Sequence, residues 1–184
     1  MQKITENKKI MLKDFNFYAP TRVVFGRDAE SKIGQLVANN GAHKVLIHYG
    51  GGSAERSGLL GVVRQQLREA GIDFVELGGV VPNPLLSLVY EGISLCRREN
   101  VDFILAVGGG SVIDSSKAIA YGVPYEGDVW DFYVGKAQPQ ICLPVASVLT
   151  IPAAGSEMSE ASVITNEDGD VKLGYSNNIS RPKF

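Results

Sequence analysis

Cysteine is scarce in this chain. Cys96 and Cys142 are the two it has, and they lie far apart in sequence. A disulfide framework is therefore excluded, and both read as buried free thiols in a reducing compartment. Long apolar runs are missing too: none approaches the ~20 residues that cross a bilayer. The first eleven residues, Met1 to Met11, are polar and lysine-rich. They lack the apolar centre of a secretory signal and read as a short disordered leader, with Met11 a second plausible start. There is no surplus of positive charge: 18 Lys and Arg stand against 20 Asp and Glu, with no basic stripe, which argues against nucleic acid as a partner. Internal repeats and low-complexity segments are absent. What remains is the composition of an ordinary globular, cytoplasmic protein, long enough for one domain with a real core.

Hydrophobic periodicity divides the chain into alternating strands and helices. Phe15 to Tyr18 and Arg22 to Phe25, around Ala19-Pro20-Thr21, read as an N-terminal β-hairpin. Glu30 to Asn40 reads as a helix, Val45 to His48 as the first core strand, and Gly58 to Ala70 as a helix closed by Gly71. Phe74 to Leu77 is a strand, and a helix follows Val81-Pro82-Asn83-Pro84 as far as about Asn100. Phe103 to Val107 is a buried strand, followed by a helix from Val112 to Tyr121. Asp128 to Val134 holds Trp130, Phe132 and Tyr133 and packs a loop onto the core. Leu143 to Leu149 is another apolar run. Ser162 to Thr165 and Val171 to Tyr175 form a hairpin turning at Asp168-Gly169. The alternation predicts an α/β fold, a Rossmann-like parallel sheet with helices on both faces.

Three strand ends run into small residues. After Phe103 to Val107 come Gly108, Gly109, Gly110 and Ser111, then a helix. Such a turn aims backbone N–H groups and the positive end of a helix dipole at one point, which suits a phosphate. The six residues 108 to 113 do not match GxGxxG. Glycines that merely close a turn, and Ser111 as a plain N-cap, are the competing readings. Lys44 to His48 leads in the same way to Gly50, Gly51, Gly52 and Ser53. No acid sits at that strand end, where many dinucleotide folds use one to bind a ribose hydroxyl. The loop would accept a 2′-phosphate, and Arg56 lies close by, so the cofactor expected is NADP(H) over NAD(H). A flexible turn beside a solvated arginine is the alternative. The third is Thr150 to Ser159, equally a pocket lining or a polar loop with Ser156 or Ser159 capping a helix. His48 reads as a partly exposed polar residue.

Taken in order, these elements resemble the iron-containing alcohol dehydrogenase family, in its NADP-dependent, butanol-dehydrogenase-like branch. The matching text is Phe15-Asn16-Phe17-Tyr18-Ala19-Pro20-Thr21-Arg22-Val23-Val24-Phe25-Gly26, Tyr49-Gly50-Gly51-Gly52-Ser53 and Pro82-Asn83-Pro84. It continues with Ala106 to Asp114, through Gly108-Gly109-Gly110-Ser111, and with Leu149 to Glu157. The likeness spans Leu12 to Phe184, read as one dinucleotide-binding domain like the N-terminal domain of dehydroquinate synthase. It implies that Gly108, Gly109, Gly110 and Ser111 hold a pyrophosphate and that Gly50, Gly51, Gly52 and Ser53 surround the adenosine 2′-phosphate. It implies Thr150 and Ser159 near the nicotinamide half and Lys172 near its ribose, though Lys172 otherwise reads as an exposed strand lysine. Asn83 and Val112, inside the matched motifs, join the implied set. So does Asp114, which either braces the glycine turn or caps its helix. Ala154 departs from the pattern, since relatives often carry Thr there.

The resemblance also implies a C-terminal helical domain that supplies one Asp and three His to a divalent metal, iron or zinc. No residue of this chain is assigned to that metal, and both histidines lie upstream, in the nucleotide half. The expectation is a cofactor domain without the helical domain, inactive by itself, from an enzyme interconverting primary alcohols and aldehydes by hydride transfer. Relatives dimerise through the N-terminal strand region, which makes Phe15 to Phe25 the implied homodimer interface. A glycerol dehydrogenase-like or dehydroquinate synthase-like enzyme, or a non-catalytic nucleotide-binding module, stays open beside this reading.

Overall fold

The computed structural model describes residues 18–184. The leader Met1 to Met11, and Phe15 to Phe17 of the expected hairpin, lie outside the described residues. Four strands pair in parallel: β1 (Lys44–Gly50), β2 (Asp73–Val80), β3 (Phe103–Gly108) and β4 (Val145–Leu149). Their order is β2-β1-β3-β4. A central parallel strand covered on both faces reads as an unbroken apolar run, and Phe103 to Gly108 is buried at every position.

Along β1 the side chains alternate between the faces. Val45 and Ile47 pack against α1 (Ile33–Ala38) and α3 (Leu59–Glu69), with the one-turn α2 (Ser53–Arg56) leading from β1 into α3. Leu46 packs on the other face, under α4 (Leu86–Glu99) and α5 (Gly110–Gly122). Two helices stop where left-handed residues turn the chain, α3 at Gly71 (φ 69°) and α4 at Asn100 (φ 55°). In each case the next N–H reaches back to the last turn, Ile72 to Leu67 and Val101 to Cys96, both at 2.9 Å, a Schellman closure.

The order of the strands sets the site. The chain steps outward from β1 to β2, then returns past β1 to β3. Strands β1 and β3 are thus neighbours whose following helices leave on opposite faces. In open α/β sheets the crevice outside such a pair of strand ends is where ligands bind. A hairpin, β5 (Ala161–Asn166) and β6 (Val171–Ser176), stands outside this sheet. It docks on the start of α4: Thr165 N–H donates to Pro84 O at 2.9 Å, and the Glu167 carboxylate accepts from the Ser87 N–H at 3.1 Å and from the Ser87 hydroxyl. A carboxylate at a helix N-terminus is favourable.

Some expectations need correction. The helix expected over Glu30 to Asn40 begins with a 3-10 turn, Ala29–Lys32, and becomes α-helical only over α1. Asp128 to Val134 contains the one-turn α6 (Trp130–Tyr133), whose Phe132 and Tyr133 are buried against the core as expected. Arg22 to Phe25 is not in a strand. Its N–H at Arg22 instead donates to Lys183 O at 3.1 Å, and Pro20 has no N–H to give a ladder. Cys96 is buried, but Cys142 is half-exposed, because it precedes β4 and has not yet entered the sheet. Burial raises both thiols, Cys96 to about 12 and Cys142 to about 11.

Where α1 crosses α3, a Cβ on Gly34 would lie 2.2 Å from the Gln66 carbonyl oxygen. Gly34→Ala must therefore push the two helices apart, and overpacking of this kind costs about 1–3 kcal/mol. Urea denaturation should show a lower midpoint for the variant with the same slope, and an unchanged midpoint would contradict the close contact.

Candidate cofactor site

In a parallel sheet all strand ends of one sense share an edge. The C-terminal edge here gathers Gly50 to Ser53, Asn83, Gly108 to Ser111, and Thr150. Register makes the first and third groups neighbours: Tyr49 lies opposite Val107, so Gly50 stands beside Gly108. Gly50 also pairs with Val80 at the end of β2. The Thr150 N–H donates to Gly108 O at 3.0 Å, which brings the end of β4 alongside. The sequence-predicted residues of three separate motifs thus meet on one edge.

The glycines of the central turn differ in what they do. A Cβ on Gly108 would fall 2.5 Å from Val112 Cγ2 and 2.9 Å from Val112 Cβ. Its missing side chain lets α5 fold back onto β3. A Cβ on Gly109 would meet nothing within 4 Å, and one on Gly110 would touch only Ala154 Cβ at 3.7 Å. So Ala154, the position departing from the family pattern, packs against the helix start. Gly109, not Ser111, is the N-cap of α5, and no side chain caps the helix. Its carbonyl takes the N–H groups of Val112 and Ile113 at 3.0 and 3.2 Å. Gly110 and Ser111 are the first two residues of the helix, where N–H groups have no intrahelical acceptor. Two free donors, a dipole end and open space over Gly109 fit a pyrophosphate.

Beneath this surface lies a buried polar framework that the sequence did not reveal. His48 is completely buried, not partly exposed as expected. Its Nδ1 is 2.8 Å from Leu77 O and its Nε2 2.8 Å from Ser115 Oγ. A carbonyl only accepts, so Nδ1 carries the proton and Nε2 accepts the Ser115 hydroxyl. Burial pushes the imidazole pKa down to about 4. This bond ties β1 to α5. Further along α5, Lys117 is also fully buried. Its Nζ lies 2.7 Å from Ser156 O, 2.9 Å from Ser156 Oγ, 2.9 Å from Ser159 O and 2.8 Å from Ala161 O. Burial lowers it to about 8, against the opposing pull of Asp114 and Glu160.

Asp114 neither caps α5 nor braces the glycine turn. Its Oδ1 accepts from Ser156 Oγ at 2.5 Å and its Oδ2 from the Val163 N–H at 3.1 Å. Burial raises its pKa. Ser156 is itself buried, and its hydroxyl joins lysine to carboxylate instead of simply capping a helix. The spacing of Asp114 and Lys117, three apart on one helix face, was the available signal.

Lys172 and Asn83, far apart in sequence, meet at 2.7 Å, with Asn83 in the left-handed region (φ 60°). Thr150 is exposed just past β4, and Ser159 is half-buried, its Oγ accepting from Ala161 N–H at 3.3 Å. At the end of β1, Gly52 takes φ 116°, and Arg56 Nη1 lies 3.1 Å from where its Cβ would stand. Glu55 is turned to Arg64, whose Nη1 and Nη2 donate to its two oxygens at 2.9 and 2.8 Å. That guanidinium holds the Glu55 carboxyl below the usual range. Among the described residues no three of His, Cys, Asp or Glu cluster to hold a metal ion. No helix of the described residues is long and apolar enough to cross a membrane.

Fold and site together define a doubly wound α/β domain with a glycine turn at its switch point. The family model for iron-containing alcohol dehydrogenase matches residues 20–184. NADH-dependent butanol dehydrogenase A of Clostridium acetobutylicum is 46% identical over 170 residues, which covers 92% of this chain and 43% of that protein. The NADPH-dependent aldehyde reductase YqhD of Escherichia coli is 34% identical over 176 residues, 94% of this chain and 44% of that one. The crystal structure of NADH-dependent butanol dehydrogenase A from Thermotoga maritima superposes with a TM-score of 0.90 at 47% identity, covering 93% of this chain and 43% of that chain. This chain belongs to the iron-containing alcohol dehydrogenase family and spans less than half the length of these relatives. The glycerol dehydrogenase-like, dehydroquinate synthase-like and non-catalytic readings are not favoured beside these relatives.

His48 sets a testable pH limit. Its folded pKa of about 4 lies below its ordinary 6.5, so on acidification the unfolded chain takes up the proton first. The stabilisation is complete above pH 6.5, falls between pH 6.5 and 4, and changes no further below. The loss amounts to about 3 kcal/mol. Denaturant titrations from pH 7 to 4 should show this limb in the native chain, and the limb should be missing from the pH dependence of His48→Leu.

Proposed function

We propose that this chain is the NAD(P)H-binding domain of a metal-dependent alcohol and aldehyde oxidoreductase of the butanol dehydrogenase type. One observation carries the reading: the turns at Gly50 and Gly108 stand side by side at the switch point, with the unpaired N–H groups of Gly110 and Ser111 between sheet and solvent. When bound, the nicotinamide supplies a hydride donor or acceptor. The N–H groups of Gly110 and Ser111 bind the pyrophosphate, and Gly109 leaves it room. The Lys172–Asn83 pair orients the nicotinamide ribose, and the segment from Thr150 to Ser159 lines the nicotinamide side. Val112 and Asp114 act indirectly, by packing the turn and anchoring that segment. Interconversion of primary alcohols and aldehydes fits the names of the relatives. The metal's chemistry belongs to residues other than those assigned here.

We assign the 2′-phosphate of NADP(H) to Gly50 to Ser53. The relatives' names divide between NADH and NADPH, so the support is local. Arg56 reaches over Gly52, and Arg64, shared between Glu55 and Glu76, draws the Glu55 carboxylate toward itself. The free thiols fit a reducing, cytoplasmic setting. Exposed Tyr18, Val23 and Phe25 support self-association through the N-terminal segment.

Calorimetric titration of the purified chain should show NADPH binding at least about tenfold more tightly than NADH, the scale of one added charge-assisted contact. Arg56→Ala should shrink that ratio severalfold while leaving NADH affinity unchanged. Equal affinity for both cofactors would contradict the assignment.

A further inference from the structure

We propose that Lys117 is a positioning residue: its buried ammonium fixes the Thr150–Ser159 segment, and so the nicotinamide end of the cofactor site, to the same helix that binds the pyrophosphate. This rests on the cofactor reading given above.

The segment after β4 has no sheet partner. Ile151 to Ala154 are exposed, and its only regular element is the short 3-10 turn Ser156–Met158. Its backbone carbonyls therefore need partners from elsewhere. Two of them, on Ser156 and Ser159, converge on Lys117 Nζ with a third from Ala161 at the start of β5, all between 2.7 and 2.9 Å. The Ser156 hydroxyl accepts from the same ammonium and donates to Asp114. Asp114 then takes the Val163 N–H, while the Ser162 hydroxyl donates to Asp114 O at 2.8 Å. From the solvent side Arg181 donates to Met158 O at 2.6 Å and pairs with Glu160. The inner half of the clamp comes entirely from α5.

A buried lysine is costly, and its depressed pKa records that cost. A methionine of similar length would pack the same space, but it would take away the donor that three carbonyls share and leave Ser156 O only the Ser159 N–H at 3.4 Å. The ammonium is thus matched to a turn of inward-pointing carbonyls. Because α5 is one rigid helix, its first turn at the phosphate site and its Lys117 at the nicotinamide-side loop keep a fixed separation. A cofactor that spans both points is bound in a preset geometry.

The test compares Lys117→Met with the native chain. NADPH spans both ends of the site, and adenosine 2′,5′-bisphosphate reaches only the adenosine end. The expected result is an NADPH affinity at least about tenfold weaker, with bisphosphate affinity within about twofold. Amide hydrogen exchange should accelerate over residues 156–163 and stay slow in α5 and β3. If NADPH binding and exchange are both unchanged, or if both ligands weaken equally in a variant that still melts cooperatively, the proposal fails. Should Lys117→Met not fold, Ser156→Ala removes one ammonium partner and the bridge to Asp114. It should give the same split with a loss of about threefold, and an NADPH affinity equal to native would overturn the proposal. A native chain that binds neither ligand would refute the cofactor reading itself. The exchange comparison would still decide whether Lys117 holds the segment.

Discussion

The close approach of α5 to β3 across Gly108 is the contact on which the rest depends. A single methyl group there would sit inside the Val112 side chain. With the helix held off, the N–H groups of Gly110 and Ser111 would leave the sheet edge beside Gly50. The Ser115 hydroxyl would move away from His48, and Asp114 and Lys117 would lose the loop beyond β4. One absent side chain thus sets the position of the first N–H groups of α5, a buried imidazole and a lysine-held loop together. This is why the glycine belongs to the packing of the fold as much as to the site.

The polar groups of α5 divide along its length. At its start they are backbone donors open to a ligand. One turn later they are side chains turned into the protein, where each has a partner. His48 stays neutral because a carbonyl and a hydroxyl complete its ring nitrogens in an apolar setting. Lys117 and Asp114 share the Ser156 hydroxyl between them, so neither charge stands alone. Removing one member of such a set costs more than the set contributes as a whole, because the remaining group is left buried without its partner. The scaffold under this edge of the sheet is therefore stiff, while the loop at Gly50 to Ser53 is more open.

Much of this was legible in the sequence because it follows from local rules. The run Phe103 to Val107 is too uniformly apolar to be anything but a covered strand, Gly71 closes a helix by conformation alone, and Asp168-Gly169 turns a hairpin. The glycine turn announced a close approach of helix to strand through its missing side chains. What stayed hidden depends on contacts between distant segments. His48 looked like an edge residue because nothing local tells that Leu77 and Ser115 will enclose it. The burial of Lys117 was not legible, since its four acceptors lie about forty residues onward. Asp114 was read as bracing the glycine turn or capping its helix, because helix starts usually explain a nearby acid, yet its partners sit on β5 and its preceding turn. The strand expected at Arg22 to Phe25 found its backbone partner at Lys183, which no neighbouring sequence could signal. The family's ordered motifs bridged some of that distance, bringing Lys172 and Asn83 into one set before their contact at 2.7 Å was seen.

The most direct measurement is a two-dimensional amide NMR titration of the isotopically labelled chain with NADPH. The N–H signals of Gly109, Gly110, Ser111 and Val112 should shift most, with a second group at Gly50 to Ser53 and little change along α1, α3 and the N-terminal ends of the strands. If NADPH shifts those distal signals instead, or leaves the Gly109 to Val112 signals unmoved at saturation, the start of α5 is not the phosphate anchor and the functional reading fails with it.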